Sequence, residues 1–319
     1  MRLKISSPKV SPTVTRSKIV VVGSFNTDMT VVLDRLPRAG ETLIGGQFQT
    51  AAGGKGANQA VAAARAGGDL SLVARVGRDT VGNAAVTRFE KDGIDITHVV
   101  RDARLPSGVA LIFVGKDGEN SIAVAGGANG ALSVADIRRA RPAIATANVV
   151  LMQLETPLPT IMAAARLAAR HRSLVILNPA PARPLPDALL RHVSILTPNE
   201  SETELLTGVK LTNAAALKRA AEKLRRRGVK TVVITLGARG ALLANAAGIR
   251  RIAGFKVRVV DSTAAGDVFN GALAVALTEG QPIETAIRFA NAAAAISVTR
   301  RGAQSSAPTR REIVRFIKG

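Results

Sequence analysis

Residues 262–274 read STAAGDVFNGALA, three small residues, an acid, and then a stretch of helical composition. Ala264, Ala265 and Gly266 let a ligand approach the backbone closely. A helix starting there offers free N–H groups and a partial positive charge, a seat for phosphate. Asp267 stands at the same point. It can cap the helix. It can also act as a general base beside an anion hole, taking the proton of an attacking hydroxyl while backbone amides hold a transferring phosphoryl group. Local spacing leaves both readings open.

Five further clusters carry polar residues at sites of the same kind. AAGGKGANQA (51–60) is a Gly-rich turn before a helix, without the Ser or Thr that a Walker A loop needs after its lysine. There Lys55 is either solvated or ligand-facing, and Asn58 is suited to hydroxyl groups. GSFNTD (23–28) places Asn26 and Asp28 just past a strand, as either an Asx turn or a ligand contact. Gln153 and Glu155 follow a second strand. TPNESE (197–202) puts Asn199 and Glu202 three apart at a helix start. That spacing fits a capping arrangement, or the water shell of Mg²⁺. TLGARG (235–240) is a strand followed by a glycine turn able to hold phosphates.

Such clusters need a scaffold that brings strand ends together. KIVVVG (18–23), LSLVARVG (70–77), VVLMQL (149–154), SLVILNP (173–179), VSILTP (193–198) and TVVITLG (231–237) read as buried strands. Helices are predicted between them: 56–67, 79–92, one with Pro157 in its first turn, and 215–228. Continuous apolar strands alternating with helices indicate a parallel sheet covered on both faces. Ligands of such sheets lie at the strands' carboxyl ends, where the clusters fall. KVRVV (256–260) reads as a strand leading into STAAGD. Helices are then predicted at 267–278, 283–298 and 310–317, the last with Thr309 and Glu312 at capping-box spacing. Residues 29–50 and 107–125 break the rhythm and read as β-ribbon, with an Asp-Gly turn in KDGEN. They form either two separate hairpins or one accessory sheet, which could serve as a lid.

Composition limits the function classes. The chain has 319 residues, 47% hydrophobic and 21% charged, which excludes wholesale disorder. No cysteine is present, and His98, His171 and His192 are far apart. Thiolate chemistry is excluded, and a helical zinc motif is not formed. Lys and Arg number 44 against 23 Asp and Glu, a net charge of +21 with a pI near 11.5. Such a surface attracts polyanions. Yet the chain has no Trp or Tyr to stack bases, and its basic residues are dispersed, which argues against a dedicated nucleic-acid module. Residues 1–17 are basic and acid-free, resembling a transit peptide in composition but lacking an amphipathic stripe. A disordered tail is expected there.

Taken in order, GGKGANQAVAAARAG, LMQLETPL, LNPAPARPLPDALL, TPNESE, TVVITLGARG, AAGDVFNGAL and RFANAAAAISVTRRGAQSS resemble the phosphofructokinase-B-type sugar kinases, and within them the ribokinase group. The likeness runs from about Lys18 to the C-terminus. It implies a Rossmann-like α/β parallel-sheet sandwich over 18–319, with a small discontinuous β lid from about 28–50 and 106–126 that also forms a homodimer interface. It implies ATP-dependent phosphorylation of D-ribose at O5 in the cytoplasm.

Carried over residue by residue, the resemblance makes Asp267 the base and Ala264, Ala265 and Gly266 the anion hole. It assigns Asn26, Thr27, Asp28, Gly54, Lys55, Gly56, Ala57, Asn58 and Glu155 to the sugar. It assigns Asn199, Glu202, Thr235, Leu236, Gly237, Ala238, Arg239, Gly240, Gly266 and Asn291 to the nucleotide. Asn199 and Glu202 match a magnesium-associated motif acting through water. Asp261, Thr263, Ser297, Arg300, Gly302 and Ser306 match a potassium site, several through backbone carbonyls. The alternatives are a kinase for 2-deoxyribose or another sugar, a silent sugar sensor, and a polyanion-binding protein.

Overall fold

Residues 18–319 are described in a computed structural model. The tail expected over 1–17 lies outside the described residues. In chain order the strands are β1 (Lys18–Val22), β2 (Asn26–Leu33), β3 (Gln47–Gly53), β4 (Asp69–Gly77), β5 (Val99–Asp102), β6 (Gly108–Gly115), β7 (Asn120–Ala125), β8 (Val149–Met152), β9 (Leu174–Leu177), β10 (Ile195–Leu196), β11 (Thr231–Thr235), β12 (Ala241–Asn245) and β13 (Gly248–Ile252). The helices are α1 (Lys55–Arg65), α2 (Thr80–Lys91), α3 (Val134–Arg139), α4 (Arg141–Thr146), α5 (Leu158–Arg170), α6 (Asp187–Leu190), α7 (Glu200–Thr207), α8 (Ala214–Arg226), α9 (Ala265–Thr278), α10 (Ile283–Ser297) and α11 (Arg310–Lys318).

Nine strands form one sheet in the order β13-β12-β11-β10-β9-β8-β1-β4-β5. From β11 through β5 every pairing is parallel, while β12 and β13 extend the sheet antiparallel. β1 shows why both faces must be covered. Ile19 and Val21 enter a core shared with α1, α9 and α10. Val20 and Val22 enter a second core, built on the other face with α4, α5 and α8. A strand whose successive side chains are all apolar can only be satisfied between two layers of helix.

The two predicted ribbons join as one four-stranded sheet in the order β3-β2-β6-β7, with β2 and β6 parallel. Independent hairpins are thereby excluded. Asp117-Gly118 makes the β6–β7 turn, with Gly118 at φ +87°. Three expectations need correction. Residues 256–260 form no strand: Val259 and Val260 are exposed, and the Val260 amide donates instead to the Val298 carbonyl at 2.7 Å. Pro157 lies one residue ahead of α5, at its N-cap. The β5, β12 and β13 strands go beyond the sequence reading: β5 is only four residues long, and β12 (ALLAN) and β13 (GIRRI) carry no β-branched run beyond two separated isoleucines.

A buried ionic junction fixes the edge of the large sheet. Arg75 on β4 donates to Asp102 at 2.7 Å and to Asp136 at 3.1 Å. Both carboxylates are almost fully buried. Asp136 also closes the capping box of α3 with Ser133. Arg75→Met removes the shared cation and leaves two buried carboxylates short of a partner. Thermal unfolding is expected to show a loss of about 3 kcal/mol and a midpoint lower by roughly 5 °C or more. A midpoint within a degree of the parent's would show that the junction contributes no net stability.

Candidate active site

β9, β10 and β11 end at a pocket whose lining includes Lys55, Asn178, Thr197, Asn199, Glu202, Thr235, Gly266, Asp267 and Asn270. The α9 start forms one wall. Its N-cap is Ala264, at φ +58°, with no capping side chain. Asp267 is therefore not the cap; it sits inside the first turn, buried. Its Oδ2 accepts from Asn58 Nδ2 at 3.1 Å, and its Oδ1 from Gln59 Nε2 at 2.9 Å. Burial pushes this carboxyl above its ordinary value. The Lys55 ammonium and the Gln59 and Asn58 amides pull it back, while the Glu155 charge adds to the rise. The result is a carboxylate more basic than a free aspartate, yet fixed in direction. The Ala265 amide is taken by the Ser262 carbonyl at 3.2 Å, so the Gly266 amide is the more open donor of the helix start.

Through Lys55 and Asn58 of α1 the site continues toward Glu155 and the junction of β1 and β2. Asn129, buried, accepts from the Phe25 amide at 2.9 Å and donates to the Phe25 carbonyl and to Asn26 Oδ1. This holds Asn26 and the following Thr27 and Asp28 at the root of β2. The glycine turn makes room for them: a Cβ on Gly53 would collide with the Asp28 carboxylate. Gly54, at φ +85°, passes so close that a Cβ would lie 2.6 Å from the Asn26 amide. Burial first, then the Glu155 and Asp267 charges, push the Asp28 carboxyl up to about 6, against the pull of Lys55. Glu155 Oε2 accepts from Ser24 Oγ at 2.5 Å and from the Lys55 amide at 2.9 Å, closing the start of α1. Gly56 and Ala57 lie buried beneath, their amides on Ser24.

Asn199 and Glu202 form a reciprocal capping box at α7 and face the same pocket. Glu202 accepts from the Asn199 amide at 2.8 Å and from Asn199 Nδ2 at 3.0 Å. Burial raises its carboxyl, opposed by the Asn199 amide and by Lys55. Thr235 also reaches the pocket. Leu236 does not, since its side chain is buried in the core. Gly237, Ala238, Arg239 and Gly240 make the turn into β12, with Arg239 paired to Glu200 at 2.5 Å. Asn291 donates to the Ala253 carbonyl at 3.1 Å, holding the strand-free loop that precedes α9.

That loop meets the segment after α10. Asp261 accepts from the Thr263 amide at 2.9 Å and the Gly302 amide at 2.8 Å. Burial alone would raise its carboxyl, but these hydrogen bonds and the Arg301 charge hold it below its ordinary value. Ser297 and Ser306 are buried, their hydroxyls on the Ala294 and Ala303 carbonyls. The Arg300 guanidinium turns to Glu312 at 2.5 Å.

Sequence reading singled out Gln153 but missed the polar chain that it begins beneath the pocket. Gln153 Nε2 donates to Gln59 Oε1, and Gln59 Nε2 is shared between Asp267 and Asn178. Asn178 donates to the Thr197 carbonyl, Thr197 Oγ1 to Asn270, and Asn270 to the Gly266 carbonyl. Each of these side chains is buried. Only their positions just past strand ends, or on the inner face of a helix, could have marked them.

Comparison with known proteins identifies relatives of the whole chain. A family model described as pfkB family carbohydrate kinase matches residues 16–310. A ribokinase of Haemophilus influenzae is 45% identical over 303 residues, covering 95% of this chain and 99% of its own. A ribokinase of Bacillus subtilis is 42% identical, covering 94% and 99%. The solved structure of Arabidopsis thaliana ribokinase complexed with ribose and ATP superimposes with a TM-score of 0.89 at 34% identity, covering 96% of this chain and all of that one.

The raised Asp28 carboxyl has a consequence for stability. Below its unfolded pKa both states hold the proton, so Asp28 contributes nothing. As pH rises toward about 6, the unfolded chain releases the proton before the fold does, and stability falls. Asp28→Asn removes this loss. The ligand-free variant is expected to be more stable than the parent at pH 7.5, by on the order of 1 kcal/mol after screening by the water that reaches the group. The advantage should vanish near pH 4. An equal difference at both pH values in denaturant unfolding would show that Asp28 is not shifted.

Proposed function

The chain belongs to the pfkB family of carbohydrate kinases, and from that premise we propose that it transfers the γ-phosphoryl group of ATP to the O5 hydroxyl of D-ribose, giving D-ribose 5-phosphate and ADP. The observation that carries this reading is the buried Asp267 carboxylate, aimed by Asn58 and Gln59 beside the open start of α9. Asn26, Asp28, Lys55, Asn58 and Glu155 line the sugar side. An ionised Asp28 accepts hydrogen bonds from adjacent hydroxyls. Thr27 and the Gly54–Ala57 backbone complete the sugar wall. The O5 hydroxyl gives its proton to Asp267 as the new O–P bond forms and the bond from the γ-phosphorus to ADP breaks. The Gly266 amide and the Ala264–Ala265 turn face the negative charge that builds on the phosphoryl oxygens. The Thr235–Gly240 turn and Asn291 bound the nucleotide side.

Two ions fit the residues present. Both Glu202 oxygens are already bonded to Asn199, and among the described residues no three acidic or histidine side chains form a metal cluster. This donor set suits a magnesium ion held chiefly by substrate phosphates and reached by Asn199 and Glu202 through water. Bound there, magnesium offsets phosphate charge. Asp261, Thr263, Ser297, Arg300, Gly302 and Ser306 bracket the meeting of two loops and would seat potassium. Bound there, potassium would stiffen the backbone leading into α9.

The small sheet is read as a lid over the sugar and as the contact between two copies of the chain. Its exposed Phe48, Leu111, Phe113, Ile122 and Val124 support that reading. The compartment proposed is the cytoplasm.

ADP release with Mg-ATP and potassium should be strongest with D-ribose, weaker with 2-deoxyribose and fructose. Asp267→Asn should keep ligand binding and lose turnover by about 10²- to 10⁴-fold. No release with any of the sugars would move the function to an untested acceptor or to a silent binding role, and stronger release with 2-deoxyribose would move the substrate. For ribose, kcat/KM should rise with pH through about 6 as Asp28 ionises; a flat profile there would remove Asp28 from sugar binding. Exchanging potassium for a non-activating cation should lower turnover. Unchanged turnover would remove the potassium site.

A further inference from the structure

The amino-terminal edge of the large sheet, opposite the active site, holds a second groove. It runs across the starts of β9, β10 and β11, and its rim carries Arg172, Arg191, His192 and Lys230. Among the described residues, no carboxylate lines it. Arg166 and Arg170 on α5 add further positive charge close enough to act on His192. Among the described residues, none of these five Arg and Lys side chains forms an ion pair. The nearest acid in sequence, Glu284 beside the lining residue Ile283, is paired to Arg250.

Cations at helix C-termini often do no more than offset the helix dipole. Arg170, in the last turn of α5, fits that account. Lys230 does not, because it leads into β11 rather than ending a helix. Arg172, just past the end of α5, and Arg191, the C-cap of α6, also stand at helix C-termini, but Arg172 does so at φ +63°, where glycine is usual and another residue is strained. The lining between the cations includes Ser173, Ser194 and Thr231, with apolar Leu174, Ile195 and Leu277. Like charges gathered without a counter-charge repel one another and are relieved by an anion.

We propose that this groove binds a small phosphorylated organic anion, its phosphate held by Arg172, Arg191 and Lys230 and its apolar part on Leu174 and Ile195. A single-stranded nucleic acid is disfavoured because the lining has no aromatic ring on which a base could stack. The site is distinct from the catalytic pocket: the β9–β11 strands, four to five residues long where complete, separate the two by about 10–15 Å of sheet.

His192 gives the test a local reporter. Burial, then Arg166, Arg170 and Arg191, hold its imidazole below the ordinary value. Bound anion cancels part of that field, so the imidazole should take up a proton at higher pH. With only three histidines in the chain, imidazole NMR can follow each one. The probe is inorganic pyrophosphate, titrated into the full chain with the nucleotide site filled by ADP. A saturable shift of the His192 signals is expected, with a raised titration midpoint and His98 unmoved. An Arg191→Ala, Lys230→Ala double variant, with unchanged unfolding midpoint and kinase activity, should bind at least 10-fold more weakly. The proposal is overturned by a shift that sodium chloride reproduces at equal ionic strength, by equal binding in the double variant, or by binding of a single-stranded oligonucleotide where pyrophosphate gives none.

Discussion

A buried carboxylate without donors is costly to keep charged, and Asp267 is the point from which the rest of the site can be understood. Its two oxygens are each met by a side-chain amide from consecutive positions of α1, Asn58 and Gln59. Consecutive helical residues point about 100° apart, so both can reach one carboxylate only if α1 and α9 lie close. The small residues make that approach possible. A Cβ on Gly271 of α9 would press on the Gln59 carbonyl and the Ala62 methyl. Stability of the charged state and closeness of two helices are thus one requirement.

The same requirement reaches into the sheet. Gln59 is shared with Asn178, which follows β9, and is itself fixed by Gln153, which follows β8. Thr197 and Asn270 return the chain of hydrogen bonds to the Gly266 carbonyl. The ends of three adjacent parallel strands therefore set the orientation of the residue at the α9 start. Buried networks of this kind favour one arrangement strongly when every member is satisfied. Here the network is not complete: Gln153 Oε1 and Asn58 Oδ1 are buried without a hydrogen-bond partner.

Much of the scaffold was legible because parallel strands need continuous apolar runs, and 18–23, 149–154 and 231–237 supply them. The motifs of the site were legible as clusters at the ends of those runs. KVRVV misled because alternating Val and basic residues look like an edge strand, yet its last residue pairs with the end of α10, the Val260 amide on the Val298 carbonyl. Whether Asp267 capped a helix or entered it depended on the left-handed turn at Ala264, which no local pattern announces. Gln59 and Asn129 were invisible for a related reason. Each is a single polar residue whose meaning comes from partners 94 to 208 positions away in the chain, or, for Asn129, 103 and 104.

Asn129 also joins the two sheets. Only Gly23, Ser24 and Phe25 separate the end of β1 from the start of β2, and Asn129 grips Phe25 by both its amide and its carbonyl. The chain crosses to and from the small sheet at four places, after β1, β3, β5 and β7, and the first of these joints is clamped by Asn129. β2 extends from it for eight residues, a lever of about 26 Å at the usual rise of ~3.3 Å per residue. A rotation of about 10° at the joint would carry the far tip of β2 through roughly 4–5 Å of arc on that length, while Asn26 at the pivot would scarcely move. Geometry alone therefore divides the strand into a stationary root beside Asp267 and a travelling tip whose Val31 is flanked by Phe48 of β3 and Phe113 of β6.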